Sequence, residues 1–141
     1  MAKILVAVDG SPHSRRAVEE VLKLHAARGQ DEIHLLNVQI PIESGHARLF
    51  VSHDDLQDYY REEGLAALAD ARAILDAAGI SYTHHAAVGH VAQTIAAYAK
   101  EKSFDQIVLG SHGRGALTHL LLGSVATDVL RIAEVPVTLV K

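Results

Sequence analysis

The stretch of this sequence best suited to chemistry is Gly110-Ser111-His112-Gly113-Arg114-Gly115, followed by a mostly apolar run to Gly123-Ser124. Two residues separate Gly110 from Gly113, and nine separate Gly113 from Gly123. Glycine has no Cβ and tolerates positive φ, so a glycine turn lets backbone N–H groups approach an anion closely. Ser124 stands where a helix N-cap belongs. Its hydroxyl and the first N–H groups of the helix, beginning at Val125, would then face the same point as the glycines, and such a point attracts phosphate or carboxylate. The alternative is purely structural, with the glycines as turn formers and Ser124 as a cap. Two familiar nucleotide fingerprints are absent. No Lys follows Gly115 or Gly123 as in a P-loop, and Gly113-Arg114-Gly115 lacks the third glycine of the dinucleotide motif and lies far from the first strand.

These residues need a frame. The apolar run Asp105 to Leu109 reads as a buried strand feeding the glycine stretch, and Val125 to Ala133 as the helix after it. Lys3 to Val8 is apolar on both faces, as in a central parallel strand. Asp9-Gly10-Ser11-Pro12 follows, with Ser11 placed as N-cap and Pro12 at the first helical position. Ala17, Val18, Val21, Leu22 and Leu24 form the expected buried stripe of that helix, which Gly29 would end. Glu32 to Val38 is the second strand, and 39–52 an irregular connection with some apolar cover. Asp54 to Ala78 is helical, striped by Leu56, Tyr60, Ala67, Leu68, Ala71 and Leu75, with Gly79 as the residue after its end. Ile80 to Ala87 is a more polar strand, suited to an edge. Val91, Ile95, Tyr98 and Ala99 stripe a further helix, and Val135 to Lys141 is a closing strand.

Strand and helix alternate four times before the last strand, which predicts parallel crossovers and helices on both faces of one doubly wound α/β sheet. Ligands in such sheets bind at the carboxyl ends of the strands, at the switch point. If the first and fourth strands are neighbours there, Asp9, Val38 and Gly110 converge.

The 141 residues make one domain, long enough to bury roughly two-thirds of its unfolded surface. A net charge of -4, four tyrosines, two phenylalanines and no tryptophan leave neither a basic stripe nor a stacking platform, which argues against nucleic acid. With no cysteine there is no disulfide, no thiolate catalysis and no sulfur-bound zinc. The run Ile4 to Val8 is too short for a signal-peptide core and no later run reaches membrane-span length, so no membrane association is expected and the expected location is the cytoplasm.

Over its whole length the sequence resembles the ATP-binding branch of the universal stress protein family. The resemblance rests on Lys3-Ile-Leu-Val-Ala-Val-Asp-Gly-Ser11, on the complete Gly110, Gly113, Gly123-Ser124 motif, and on Val135-Pro-Val-Thr-Leu-Val140. It implies a five-stranded parallel sheet in the order 3-2-1-4-5, spanning residues 1–141 as one nucleotide-binding domain, with ATP and Mg above the first and fourth strands. It places Asp9 at the adenosine end, Val38 beside adenine, and Gly110, Gly113, Gly123 and Ser124 at ribose and phosphate; Arg114, as a phosphate partner, and Val125, at the start of the helix, are further candidate binding residues. Each position keeps a plainer alternative: Asp9 as an Asx-turn residue, Val38 as core, Arg114 as a solvated loop charge. The resemblance also implies a homodimer paired through Val137 to Val140. One departure is His90, at the start of a helix where the family often has a small or acidic residue followed by Pro or Ala.

Ten histidines invite a metal site. His84 and His85 point to opposite faces of a strand, and His112 and His119 straddle the glycine loop with no carboxylate between them. No dedicated metal site is expected, although His112 could touch a bound phosphate. The function expected is a nucleotide-dependent regulatory dimer in the stress response. The alternative is a slow ATPase or phosphotransferase using the same pocket, which Asp9 serves poorly if it is committed to the adenosine end.

Overall fold

Ile4, Leu5 and Val6 are fully buried in succession, so both faces of their strand must be covered. They belong to β1, Lys3–Ala7, at the centre of the sheet. The structure is a computed structural model in which residues 1–25, 30–42, 52–113 and 122–141 are described. The remaining elements are α1 Pro12–His25, β2 Glu32–Gln39, α2 His53–Ala77, β3 Thr83–Val88, α3 Val91–Glu101, β4 Gln106–Gly110, α4 Ser124–Ile132 and β5 Val137–Val140. The sheet runs β3-β2-β1-β4-β5 with every pairing parallel, the order the resemblance implies.

Alternation along β1 divides the core. Ile4 and Val6 face Ala17, Val18 and Val21 of α1 and Leu68, Ala71 and Leu75 of α2, while Leu5 faces the opposite layer of Ile95, Ala99, Ala126 and Val129 from α3 and α4. The sheet is therefore doubly wound, with two helices on each face among the described residues. Leu24 departs from the expected stripe of α1. It is 49% exposed, while Leu22 of the same stripe packs against the core. None of the described helices is long and apolar enough to cross a membrane.

Element ends follow local chemistry. Ser11 Oγ accepts the Ser14 N–H at 3.2 Å, capping α1 as its sequence suggests. Ser52 caps α2 by accepting the Asp55 N–H. At the other end of α2, Gly79 adopts φ +69°, and the Gly79 and Ile80 N–H groups donate to the carbonyls of Asp76 and Leu75. This is the paired bonding of a left-handed helix terminus. β3 begins at Thr83, later than the sequence pattern suggests, and lies at the sheet edge as its polarity suggests. β5 begins at Val137, after Pro136, whose nitrogen has no hydrogen to donate. Gly29 and most of the 39–52 connection lie outside the described residues.

A methyl group added at Gly79 would meet nothing within 4 Å, so substitution there probes backbone strain alone. Gly79→Ala is expected to destabilise the fold by about 1 to 2 kcal/mol, read as a lower urea midpoint at unchanged m-value. An unshifted midpoint would mean that the turn gives way without cost.

Candidate functional site

The carboxyl end of β1 is tied down by an amide. The Val8 N–H donates to the Leu36 carbonyl at 2.8 Å, and Asn37 Nδ2 donates to the Val8 carbonyl at 2.8 Å. Asn37 is only 2% exposed, and its own Oδ1 accepts from Gln39 Nε2. A buried amide with both sides used is a rigid strut. It joins β1 to β2 one residue before the chain turns at Asp9. Asp9 Oδ1 then accepts the Ser11 N–H at 2.8 Å, with Gly10 at φ +82° between them. The Asx turn is therefore present, and it uses one of the two carboxylate oxygens.

The other oxygen meets the glycine stretch. A Cβ built on Gly113 would lie 2.7 Å from Asp9 Oδ2, so the end of β1 and the turn after β4 are in direct contact. Gly110 is a glycine for a different reason. Its Cβ would lie 2.8 Å from the His13 backbone carbon, so the first turn of α1 is seated on the last residue of β4. At Gly123 the Cβ would fall 3.1 Å from His112 Cα, while the Gly123 N–H donates to the Ser111 carbonyl at 2.7 Å. Ser111, 2% exposed, also donates its own N–H to the Val140 carbonyl. The chain thus leaves β4 and re-enters at α4 at one point, locked to β5.

This geometry corrects the expectation for Ser124. The N-cap of α4 is Gly123, with extended backbone at φ -72° and ψ 167°, a residue with no side chain of its own to cap the helix. Ser124 is the first helical residue, because Gly123 is held by Ser111 and its carbonyl accepts from both the N–H and the hydroxyl of Thr127. The Ser124 side chain is left exposed. The N–H groups of Ser124, Val125 and Ala126 still begin the helix with no carbonyl one turn earlier in it.

Of the other expected residues, Val38 and Val125 are partly buried against the core layer of α3 and α4. Arg114 lies outside the described residues. His90 is the N-cap of α3 and makes no side-chain cap bond. Asn37 and Ser111 escaped sequence reasoning, although a polar residue inside the apolar run Leu35-Leu36-Asn37-Val38 was a visible signal. His13 escaped it too. Its ring lies 5.1 Å from that of His112, whose Nδ1 is 3.0 Å from Ser111 Oγ. Burial, then Arg16 and His112, hold His13 below its ordinary value of 6.5, with Asp9 pulling the other way.

The family model of the universal stress protein family matches residues 1–141. A universal stress protein of Bacillus subtilis, YxiE, is 32% identical over 146 residues, covering 99% of this chain and 98% of that protein. Among solved structures, the Methanocaldococcus jannaschii protein MJ0577 superposes with a TM-score of 0.80 at 27% identity, over 99% of this chain and 95% of that one. A universal stress protein solved in complex with cAMP superposes with a TM-score of 0.72 at 26% identity, over 99% and 97%.

The glycines should differ in what a methyl group costs. At Gly110 the obstacle is the backbone of α1, so Gly110→Ala is expected to cost about 1 to 3 kcal/mol of stability, the usual range for overpacking. At Gly113 the obstacle is a carboxylate oxygen that can rotate away, so Gly113→Ala is expected to cost under about 1 kcal/mol. Urea denaturation of both variants checks the order, and the reverse order would contradict the contacts described.

Proposed function

The chain belongs to the universal stress protein family along its whole length, and on that footing we propose that it is a regulatory protein that binds an adenine nucleotide, ATP with magnesium, at the carboxyl ends of β1 and β4. The observation that carries the reading is the contact of Asp9 Oδ2 with Gly113. It makes one continuous surface of the carboxylate near the N-terminus and the glycine motif, which lie a hundred residues apart in sequence. A similar protein at 26% identity was solved with cAMP, which supports an adenine nucleotide as the ligand class.

In this reading the phosphates rest on the backbone at Gly113 and on the N–H groups that open α4, where the helix dipole favours negative charge. Ser124 contributes a hydroxyl from the first turn. The adenosine lies toward Asp9 and Val38, with Gly110 holding the floor of the cleft against α1. Magnesium would be carried by the phosphates and would offset their charge. The cytoplasm is the proposed setting, and the proposed response is a change in the surface that a dimer offers its partners.

The dimer is proposed to form along β5. Among the described residues this strand is paired only with β4, and an open ladder on an edge strand usually finds a cover or a partner. A chain lacking Val137 to Lys141 is expected to sediment as a monomer or become insoluble. A truncated chain that remains a soluble dimer would refute that interface.

Denaturing freshly purified protein and assaying the supernatant for adenine nucleotide is the first test of the site, and calorimetric titration with MgATP is the second. Gly113→Val should abolish binding, because a branched side chain would stand where the ligand meets backbone. Ser124→Ala should weaken binding by about 1 to 3 kcal/mol. Since Ser124 is not the cap of α4, its stability should change by no more than about 0.5 kcal/mol. Unchanged affinity in Gly113→Val would remove the nucleotide reading of the glycine stretch.

A further inference from the structure

Away from the glycine turn, three side chains of β2 and β3 form a hydrogen-bonded line. Glu32 Oε2 lies 2.7 Å from His34 Nε2, and His34 Nδ1 lies 2.9 Å from His85 Nε2. The two rings are within 7° of parallel, with centroids 5.2 Å apart. The centroid separation exceeds the nitrogen separation by about one ring width. The rings are therefore in line, and their facing nitrogens point at each other. Two ligands of one metal ion would instead aim their lone pairs at a common third point. A single hydrogen between the rings fits this geometry.

The surroundings restrict how many protons the line can hold. The His34 ring meets the edge of Phe104 at 4.9 Å, and His85 meets Tyr98 of α3 at 5.7 Å. Lys3 Nζ, from β1, stands over the Phe104 ring at 4.5 Å, and Lys102 Nζ, just after α3, over Tyr98 at 5.3 Å. His84 is the neighbour of His85 on β3. Glu32, with its side chain 60% exposed, is the carboxylate paired with this group. Cations thus approach from β1 and from the end of α3, and one anion from β2.

We propose that Glu32, His34 and His85 form a proton-operated clasp that joins the edge strand β3 to β2, closed with one hydrogen between the rings and opened when both facing nitrogens are protonated.

The hydrogen count sets the two states. In the neutral line, His34 Nε2–H donates to Glu32, and His85 Nε2–H donates to the bare Nδ1 of His34. One added proton enters at His85 Nδ1 and leaves both bonds intact, whichever ring then holds the central hydrogen. A second proton places an N–H on each facing nitrogen. Two hydrogens do not fit in a 2.9 Å gap, so the rings must part and β3 loses its side-chain tie to β2. The two rings should therefore titrate as a coupled pair, in two macroscopic steps.

Burial, then His34, Lys102, His84 and Lys3, hold His85 below its ordinary value of 6.5. Above that pH the folded and unfolded chains are both neutral at this residue, and their proton content is equal. Below it the unfolded chain takes up a proton that the folded chain resists, so stability falls as pH falls until the folded site also titrates.

The test is a pH titration of the histidine ring 15N and 13C resonances in the whole protein, with amide hydrogen exchange measured alongside. The result expected is a two-step curve shared by His34 and His85. In His34→Gln, the His85 midpoint should move up and its curve should become a single step. After correction for the intrinsic pH dependence of exchange, protection of the Thr83–Val88 amides should fall by about tenfold or more between pH 7 and pH 5, with β1 and β4 unaffected. Independent single-step titration of the two rings in the parent would overturn the proposal, as would β3 protection that tracks β1 across the range. The wild-type titration alone decides the matter if His34→Gln does not fold.

Discussion

The bond from the Gly123 N–H to the Ser111 carbonyl, 2.7 Å long, is the constraint on which the site depends. It closes the excursion between β4 and α4, so the helix begins against the strand end and not at the tip of a long loop. The same carbonyl lies 3.4 Å from the position a Gly123 Cβ would occupy, and His112 Cα lies closer still. A side chain at Gly123 would push the start of α4 outward, and the direction of its first N–H groups would change with it. Ser111 adds the tie to β5 through the Val140 carbonyl. The orientation of α4 is thus set by backbone-to-backbone contact, which tolerates little adjustment.

A matching constraint holds the other side of the cleft. Asn37 braces the end of β1 from β2, and Asp9 turns the chain by accepting the Ser11 N–H. The two halves meet at Asp9 and Gly113. Each glycine of the motif answers to a different neighbour: Gly110 to α1, Gly113 to the carboxylate, Gly123 to the turn itself. Spacing in the sequence suggested one shared purpose, ligand contact. The structure gives each a packing reason as well, and the two are compatible, because close backbone packing is what brings N–H groups to the surface of a cleft.

The fold was legible because its signals are local and repeated. Apolar runs on β1 and β4, the 3.6-residue stripes of the helices and the Ser11-Pro12 start each point to their element without help from tertiary structure. Strand order came from the family resemblance, since periodicity does not say which strands adjoin. In the site, the glycine motif was visible as spacing, but the role of Ser124 was not. Serine before an apolar run reads as an N-cap, whereas tertiary contact at Ser111 moves the cap one residue earlier. The line from Glu32 through His34 to His85 was invisible for a plainer reason. Its last two members are 51 residues apart, and only the register that sets Leu36 opposite His85 makes them neighbours.

The charge balance at the cleft bears on what kind of site it is. His13, beside His112, is disfavoured as a cation by its burial and by Arg16, so at neutral pH it offers an imidazole and not a positive charge. Asp9, the carboxylate at the end of β1, accepts the Ser11 N–H on one oxygen, and the other lies beside Gly113. A general base must reach the proton it removes, and a carboxylate spent on holding a turn is poorly placed to do so. Beside the Ser124 hydroxyl, what these described residues offer an anion is fixed backbone: the N–H groups opening α4 and the turn at Gly113. Fixed dipoles bind without needing to change protonation, and they supply no proton transfer. That combination suits occupancy by an anion through geometry alone.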